Sequence, residues 1–152
     1  MWRELRRIGA VPLGQGCWAV PDVTAFADGI TRALELAGRG DGEVIVLRAT
    51  GRGETDKAQL TGLFTEARQA EWAEFTADCG KFDTEIAKGK FTLAELEEEE
   101  QSLERLRRWH RELATRDVFG APNAAEAGQQ LKHCTERLAD YTERVFQAVH
   151  QM

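Results

Sequence analysis

Residues 2–21, WRELRRIGAVPLGQGCWAVP, decide the fold of the N-terminal part of this 152-residue chain. The stretch begins with apolar side chains three positions apart, at Trp2, Leu5 and Ile8. This spacing predicts an amphipathic helix whose apolar face is turned inward. Gly9 follows immediately and is a typical residue for the end of a helix.

A short β-hairpin is predicted directly after this helix. Residues 10–13 and 17–20 form its two strands, and residues 14–16 (Gly-Gln-Gly) form a tight turn in which glycine permits positive φ. Pro12 restricts the first strand to an edge or an end of a sheet. The hairpin is therefore expected to lie at a sheet margin.

A second helix and a third strand complete the N-terminal pattern. Residues 22–37 carry apolar side chains at helical spacing, and the apolar run at residues 44–47, Val-Ile-Val-Leu, predicts a buried strand. The order helix, strand, strand, helix, strand is a ferredoxin-like βαββαβ pattern with its first strand missing. We therefore predict an α+β protein with a truncated ferredoxin-like domain over residues 1–53.

The remainder, residues 54–152, is predicted to be a helical bundle. Helices are expected over residues 56–88, 92–116 and 123–150, with Gly80 as a kink or interruption in the first of them. The apolar stripes are narrow and heptad-like, which favours an antiparallel three-helix bundle.

The charges are unevenly spread. The chain holds 20 Lys/Arg and 26 Asp/Glu, a net charge of -6. Residues 1–55 contain seven of each class, so the whole excess of acid lies in residues 56–152. An acidic second half argues against nucleic acid along the entire surface, but it leaves room for a basic patch near the N-terminus.

The cysteines and histidines indicate neither a metal site nor a disulfide framework. Cys17, Cys79 and Cys134 are far apart and form no CxxC, which favours a reducing cytoplasm. HExxH is absent, and the histidines are interpreted as surface or packing residues. Cys17 is expected to be a small core residue; because no base, metal set or cofactor motif accompanies it, we predict no enzyme and no cofactor.

Membrane and secretion signals are also lacking. No apolar run approaches the roughly 20 residues of a membrane helix. Arginines and glycines interrupt the first 20 residues, so a signal-peptide core is not present there. No membrane partner is expected.

Two groups of arginines are candidates for binding anions. The first is Arg3, Arg6 and Arg7 on the N-terminal helix. The second lies on the middle bundle helix beside Trp109: Arg105, Arg107, Arg108 and Arg111. Guanidinium groups suit phosphates and other oxyanions. The alternative is ion pairing with glutamates on neighbouring helical positions, and the sequence leaves both open.

Residues 2–21 resemble the start of the ChrB family of chromate-resistance regulatory proteins. Members of that family carry a Trp-Arg-x-Leu-x-x-x-Gly-Ala helix and then a short hairpin closing in Trp/Val-x-x-Pro. Downstream similarities are Trp72 and Phe75 on the long helix, the LRRWH segment at 106–110, and Arg116-Asp117 before the last helix. The resemblance covers nearly the whole chain, and the hairpin is also similar to the Cas2-like module of PaaX-type repressors.

The resemblance implies chromate-responsive control of transcription, with Arg3, Arg6 and Arg7 as the residues in contact with DNA. It also implies an apolar strand ahead of the first helix and a C-terminal chromate-resistance domain, neither of which lies within residues 1–152. Chromate as a ligand of this chain is therefore left open. The alternative is a non-catalytic scaffold, a homo-oligomer whose incomplete sheet exposes an edge to another chain.

Overall fold

The computed structural model describes residues 1–151 as five helices and one two-stranded antiparallel sheet. The elements are α1 (Trp2–Ile8), β1 (Val11–Gly14), β2 (Cys17–Ala19), a 3-10 turn (Thr24–Phe26), α2 (Ala27–Arg39), α3 (Glu54–Ala87), α4 (Leu93–Arg116) and α5 (Ala124–His150). The protein is α+β and mostly helical, as predicted. Helices α1, α3, α4 and α5 lie within two residues of their predicted ends.

The chain forms two compact units, each described by itself. The N-terminal unit comprises residues 1–67 and 115–119. The helical unit comprises residues 68–114 and the chain from Gly120 onward. Division into domains at residues 53 and 54 stays a prediction.

Helices α1 and α2 contact each other closely in the N-terminal unit. An ideal Cβ built on Gly29 of α2 would lie 2.3 Å from Cγ2 of Ile8. Only a residue without a side chain allows this approach. Helix α1 ends as predicted: Gly9 adopts φ 92°, and the N–H groups of Gly9 and Ala10 donate to carbonyls of the last turn at 3.1 and 2.9 Å.

The predicted hairpin is confirmed. Val11 pairs with Ala19 and Pro12 with Trp18, and a bulge precedes the pair Gly14–Cys17. Positive φ runs through the turn at residues 14–16. Cys17 is exposed, so its prediction as a core residue is wrong; it lies on a two-stranded ribbon that no third strand covers within residues 1–151.

The strand predicted at residues 44–47 is wrong. These residues form no strand, and the backbone of residues 43–50 makes no hydrogen bond within the described chain. Ile45 and Leu47 are 85% and 81% exposed. An apolar run becomes a buried strand only beside a neighbouring strand, and β1 and β2 pair with each other alone. A truncated ferredoxin-like sheet is therefore not confirmed.

The helical unit has a single apolar core to which three helices contribute. α3 runs through Gly80 without interruption, contrary to one predicted alternative. Thr92 starts α4 as a cap, since its hydroxyl accepts a hydrogen bond from the Glu95 N–H at 3.2 Å. The core is formed by Trp72, Phe75, Cys79 and Phe82 of α3, Leu96, Leu103, Leu106 and Leu113 of α4, and Ala127, Cys134, Leu138, Tyr141 and Val145 of α5, with Ala121.

Candidate nucleic-acid interface

The buried residue of helix α1 is a carboxylate, Glu4, rather than an apolar side chain. Arg7 donates from Nε and Nη2 to the two Glu4 oxygens at 3.1 and 2.6 Å. Arg32 of α2 adds a second cation, with Nε 3.8 Å from Oε2. The hydrogen bond from Arg7, reinforced by the charges of Arg7 and Arg32, lowers the pKa of Glu4. Glu4 is thus ionised at neutral pH and connects α1 to α2.

The backbone of Arg7 has a partner that is distant in sequence. Arg116, at the end of α4, donates from Nη1 to the Arg7 carbonyl oxygen at 2.5 Å. This carbonyl lies in the last turn of α1, where it has no intrahelical donor. The carbonyl belongs to α1 and not to the helix of Arg116, so this bond connects two elements that are distant in sequence.

Arg3 and Arg6 differ from Arg7. Both are exposed, and within residues 1–151 neither forms a side-chain hydrogen bond or an ion pair. They are three positions apart, so they are neighbours on the surface of α1. The three predicted arginines therefore divide into one that is held by Glu4 and two whose charges are uncompensated.

Two tryptophans border these cations. Trp2 is 60% exposed, which corrects its predicted inward orientation. Trp18 of β2 is half-buried and meets Trp2 edge to face, with ring centroids 6.1 Å apart and planes at 88°. Because Glu4 occupies the buried face of α1, Trp2 is displaced to the surface.

Three of the four predicted arginines of α4 contact residues of their own helix. Arg107 and Arg111 both lie 3.7 Å from Glu104. Arg105 donates to the Ser102 hydroxyl at 2.9 Å, and Arg108 is exposed. Arg107 and Arg111 thus share Glu104 in surface ion pairs. Such pairing is the alternative to anion binding that the sequence left open. Oxyanion binding by Arg105, Arg108 and Arg111 stays a prediction.

One buried thiol of the helical unit, that of Cys134, faces a carboxylate. The Cys134 thiol lies 3.6 Å from the Cys79 carbonyl oxygen and 3.6 Å from Oδ1 of Asp83. Contact with Cys79 and burial raise the pKa of Cys134, which keeps it a neutral thiol. Over residues 1–151, no group of three or more His, Cys, Asp or Glu side chains has an arrangement that could hold a metal ion.

None of the helices described over residues 1–151 combines the length and the apolar character that crossing a bilayer demands.

Sequence patterns identified the arginine helix but missed the residues that organise it. Glu4 looks like an exposed charge between two arginines, and Arg32 and Arg116 are remote from it in sequence. Glu4 lies on the side of α1 opposite Trp2. This position is the one local sign in the sequence that α1 buries a carboxylate. The partners in α2 and α4 have no local signal.

The fold and this surface define an α+β protein that presents an arginine-bearing helix beside a β-hairpin. A family model described as "Protein ChrB, N-terminal" matches residues 1–152. The chain belongs to the ChrB family, and it is a chromate-resistance-related protein. Searches of the curated proteins and of the solved structures give no match to it.

Proposed function

We propose that this protein is a non-catalytic, DNA-associated regulator of the response to chromate. The observation that carries the proposal is the pair of uncompensated cations on α1, Arg3 and Arg6, in a chain whose net charge is -6. Such a pair attracts the phosphate backbone of DNA by charge and by release of counterions. Arg7 supplies a third contact, because 64% of its side chain remains exposed beside Glu4.

Glu4 gives this surface a defined orientation. Its ion pair with Arg32 connects α1 to α2, and its hydrogen bonds to Arg7 lie within α1, so the exposed arginines project from a helix that contacts its neighbour. Phosphate contacts of this kind position a protein on DNA without reading its sequence. Base recognition would require further residues.

A gel-shift titration tests the proposal, with duplex DNA from the region upstream of the coding sequence. The double variant Arg3→Ala/Arg6→Ala should bind at least tenfold more weakly than the wild type at about 50 mM salt. Arg39→Ala/Arg52→Ala is the matched control, because it removes two other exposed charges from the same N-terminal unit. Absence of DNA binding by the wild-type protein at low salt would refute the proposal.

The chromate dependence is tested in the same titration. Addition of chromate should change the affinity for DNA, whereas sulfate, a tetrahedral oxyanion of the same charge, should not. If chromate and sulfate act alike, the chain responds to ionic strength and not to chromate, and that half of the proposal fails. We also propose a cytoplasmic location, because the three cysteines are free thiols.

A second candidate function, a self-associating scaffold, is favoured by the exposed segment at residues 44–47. Its backbone groups are unpaired and its apolar side chains are exposed, which suits the addition of another strand. In a twofold antiparallel pairing centred on Val46, Ile45 of each copy lies opposite Leu47 of the other. The most exposed side chains would then cover each other.

Sedimentation at increasing concentration tests this candidate. The wild type should form dimers, and Val46→Pro should remove them, since proline cannot donate to the new ladder. The matched control is Thr50→Pro, at the end of the segment. Val23→Pro would not serve as a control, because Val23 lies next to a turn. A monomer at every concentration would rule out the scaffold.

A further inference from the structure

The surface around Arg3 and Arg6 contains more than charge. Trp2 is the first residue of α1, the helix that carries both arginines, and Trp18 of the hairpin contacts it edge to face. We call Trp2, Arg3, Arg6 and Trp18 the aromatic–basic patch. All four belong to the N-terminal unit.

Helical spacing brings the members of the patch together. Trp2 and Arg6 are four positions apart on α1, and Arg3 and Arg6 are three apart, so each pair lies on one side of the helix. Trp18 joins them from β2 with ring centroids 6.1 Å apart. An aromatic surface and two guanidinium groups are therefore contiguous.

The rings are arranged so that an aromatic face stays free. In an edge-to-face pair, the ring that offers its edge keeps both faces uncovered by its partner. Trp2 is 60% exposed, so much of its indole contacts solvent. Covering this surface with a planar partner would remove apolar area from water, which is favourable.

We propose that the aromatic–basic patch binds single-stranded nucleic acid, with an unpaired base stacked on Trp2 and adjacent phosphates on Arg3 and Arg6. This inference rests on the proposed function, because both use the same arginines, and it specifies the form of the nucleic acid. Aromatic faces beside cations are the combination that binds single strands, since every base has a face that can stack.

Two other occupants fit the patch less well. The bases of an intact duplex are stacked on each other, so a duplex would contact the arginines and leave Trp2 exposed. An apolar protein surface would cover Trp2 but would also remove water from Arg3 and Arg6 without providing a counter-charge, which is costly. A single strand provides both the base and the phosphates.

Fluorescence anisotropy of the full chain with three labelled probes tests the inference. The probes are an oligothymidine of about 15 nucleotides, an abasic deoxyribose-phosphate strand of the same length, and a duplex of the same length. The oligothymidine should bind about tenfold more tightly than the abasic strand, because only it can stack. Equal binding of these two strands would overturn the inference.

Variants assign the effect to the patch. Trp2→Ala should weaken binding of the oligothymidine about tenfold and leave binding of the abasic strand and the duplex unchanged. Arg3→Ala/Arg6→Ala should weaken all three and reduce the salt slope for the single strand by about 1.4. Arg39→Ala/Arg52→Ala, which removes two other exposed arginines of the same unit, is the matched control.

The outcomes separate this inference from the proposed function. Wild-type affinity of Trp2→Ala for the oligothymidine would overturn the inference, and duplex binding that still depends on Arg3 and Arg6 would leave the proposed function intact. If Trp2→Ala changes the oligomeric state but not the affinity for the oligothymidine, the patch binds a protein partner. This result would also overturn the inference. Circular dichroism checks that each variant is folded, and Trp18→Phe provides a second variant that retains the hairpin.

Discussion

The guanidinium group of Arg116 donates a hydrogen bond to the main-chain carbonyl of Arg7, at 2.5 Å, across 109 positions of sequence. The bond joins the end of α4 to the last turn of α1 within the N-terminal unit. It supplies a donor to a carbonyl that α1 itself cannot satisfy. The short arginine helix is thus supported from outside its own sequence.

Replacing Arg116 should therefore loosen α1. We expect Arg116→Ala to lower the stability of the N-terminal unit by about 1–2 kcal/mol, the contribution of a hydrogen bond from a charged donor. Hydrogen exchange of the α1 amides is the measurement, and these amides should exchange faster. Arg105→Ala, on an exposed part of α4, is the control; equal protection of α1 in both variants would contradict the assigned contact.

Glu4 should make the stability of this unit depend on pH. Its pKa lies below the ordinary value of 4.5 in the folded protein, so the unfolded chain takes up more protons on acidification. The stabilisation is present above pH 4.5 and is lost as the pH falls through the folded pKa. Urea unfolding from pH 7 to about pH 3 should show this loss in the wild type.

Glu4→Gln is the variant that isolates the effect. At pH 7 it should cost about 1.5 kcal/mol, because the bond to Arg7 loses its ionic character, and its acid sensitivity should be smaller than that of the wild type. Glu35→Gln, an exposed residue of α2, serves as the control. Identical pH profiles for Glu4→Gln and the wild type would show that Glu4 does not carry the dependence.

The contact between Gly29 and Ile8 predicts a contrast between two glycine substitutions. Gly29→Ala adds a Cβ 2.3 Å from Ile8 Cγ2 and should destabilise the α1–α2 contact by about 1–3 kcal/mol. Gly38→Ala, also in α2, meets no atom within 4 Å and should stabilise the helix by up to about 1 kcal/mol. Thermal unfolding compares them.

A second substitution checks the cause of that contrast. Ile8→Ala removes the atom that the new Cβ would meet, so the double variant Ile8→Ala/Gly29→Ala should lose less stability than the sum of the single variants. Additive losses would mean that the two residues do not contact each other.

The core of the helical unit predicts a second contrast, between two leucines. Leu113 is fully buried, whereas Leu93, in the same helix, is 54% exposed. Leu113→Ala should cost about 2–5 kcal/mol by leaving a cavity, and Leu93→Ala less than about 1 kcal/mol. Chemical unfolding followed by far-ultraviolet circular dichroism measures both, and similar losses would contradict the core assignment.

Local patterns predicted most of the helices and the hairpin correctly. The C-terminal end of α1 and the turn at residues 14–16 follow from glycine, and the start of α4 follows from the cap at Thr92. These signals lie in adjacent residues and act through the backbone, so the local sequence is sufficient to predict them.

The wrong predictions concern residues whose burial depends on parts of the chain that are distant in sequence. The run at residues 44–47 has the composition of a buried strand, yet no described strand lies beside it. Trp2 has the spacing of a core residue, but Glu4, which pairs with Arg32 of α2, is the buried residue of α1. Hydropathy indicates which residues would gain from burial, and only the tertiary partners decide which of them are buried.

The most direct test of DNA association through α1 is the salt dependence of binding to duplex DNA. The logarithm of the binding constant should fall linearly with the logarithm of salt concentration, and Arg3→Ala/Arg6→Ala should reduce the slope by about 1.8. Arg39→Ala/Arg52→Ala, which removes two other exposed arginines, should leave the slope unchanged. Equal slopes for the wild type and Arg3→Ala/Arg6→Ala would contradict the proposal that these two arginines contact phosphates.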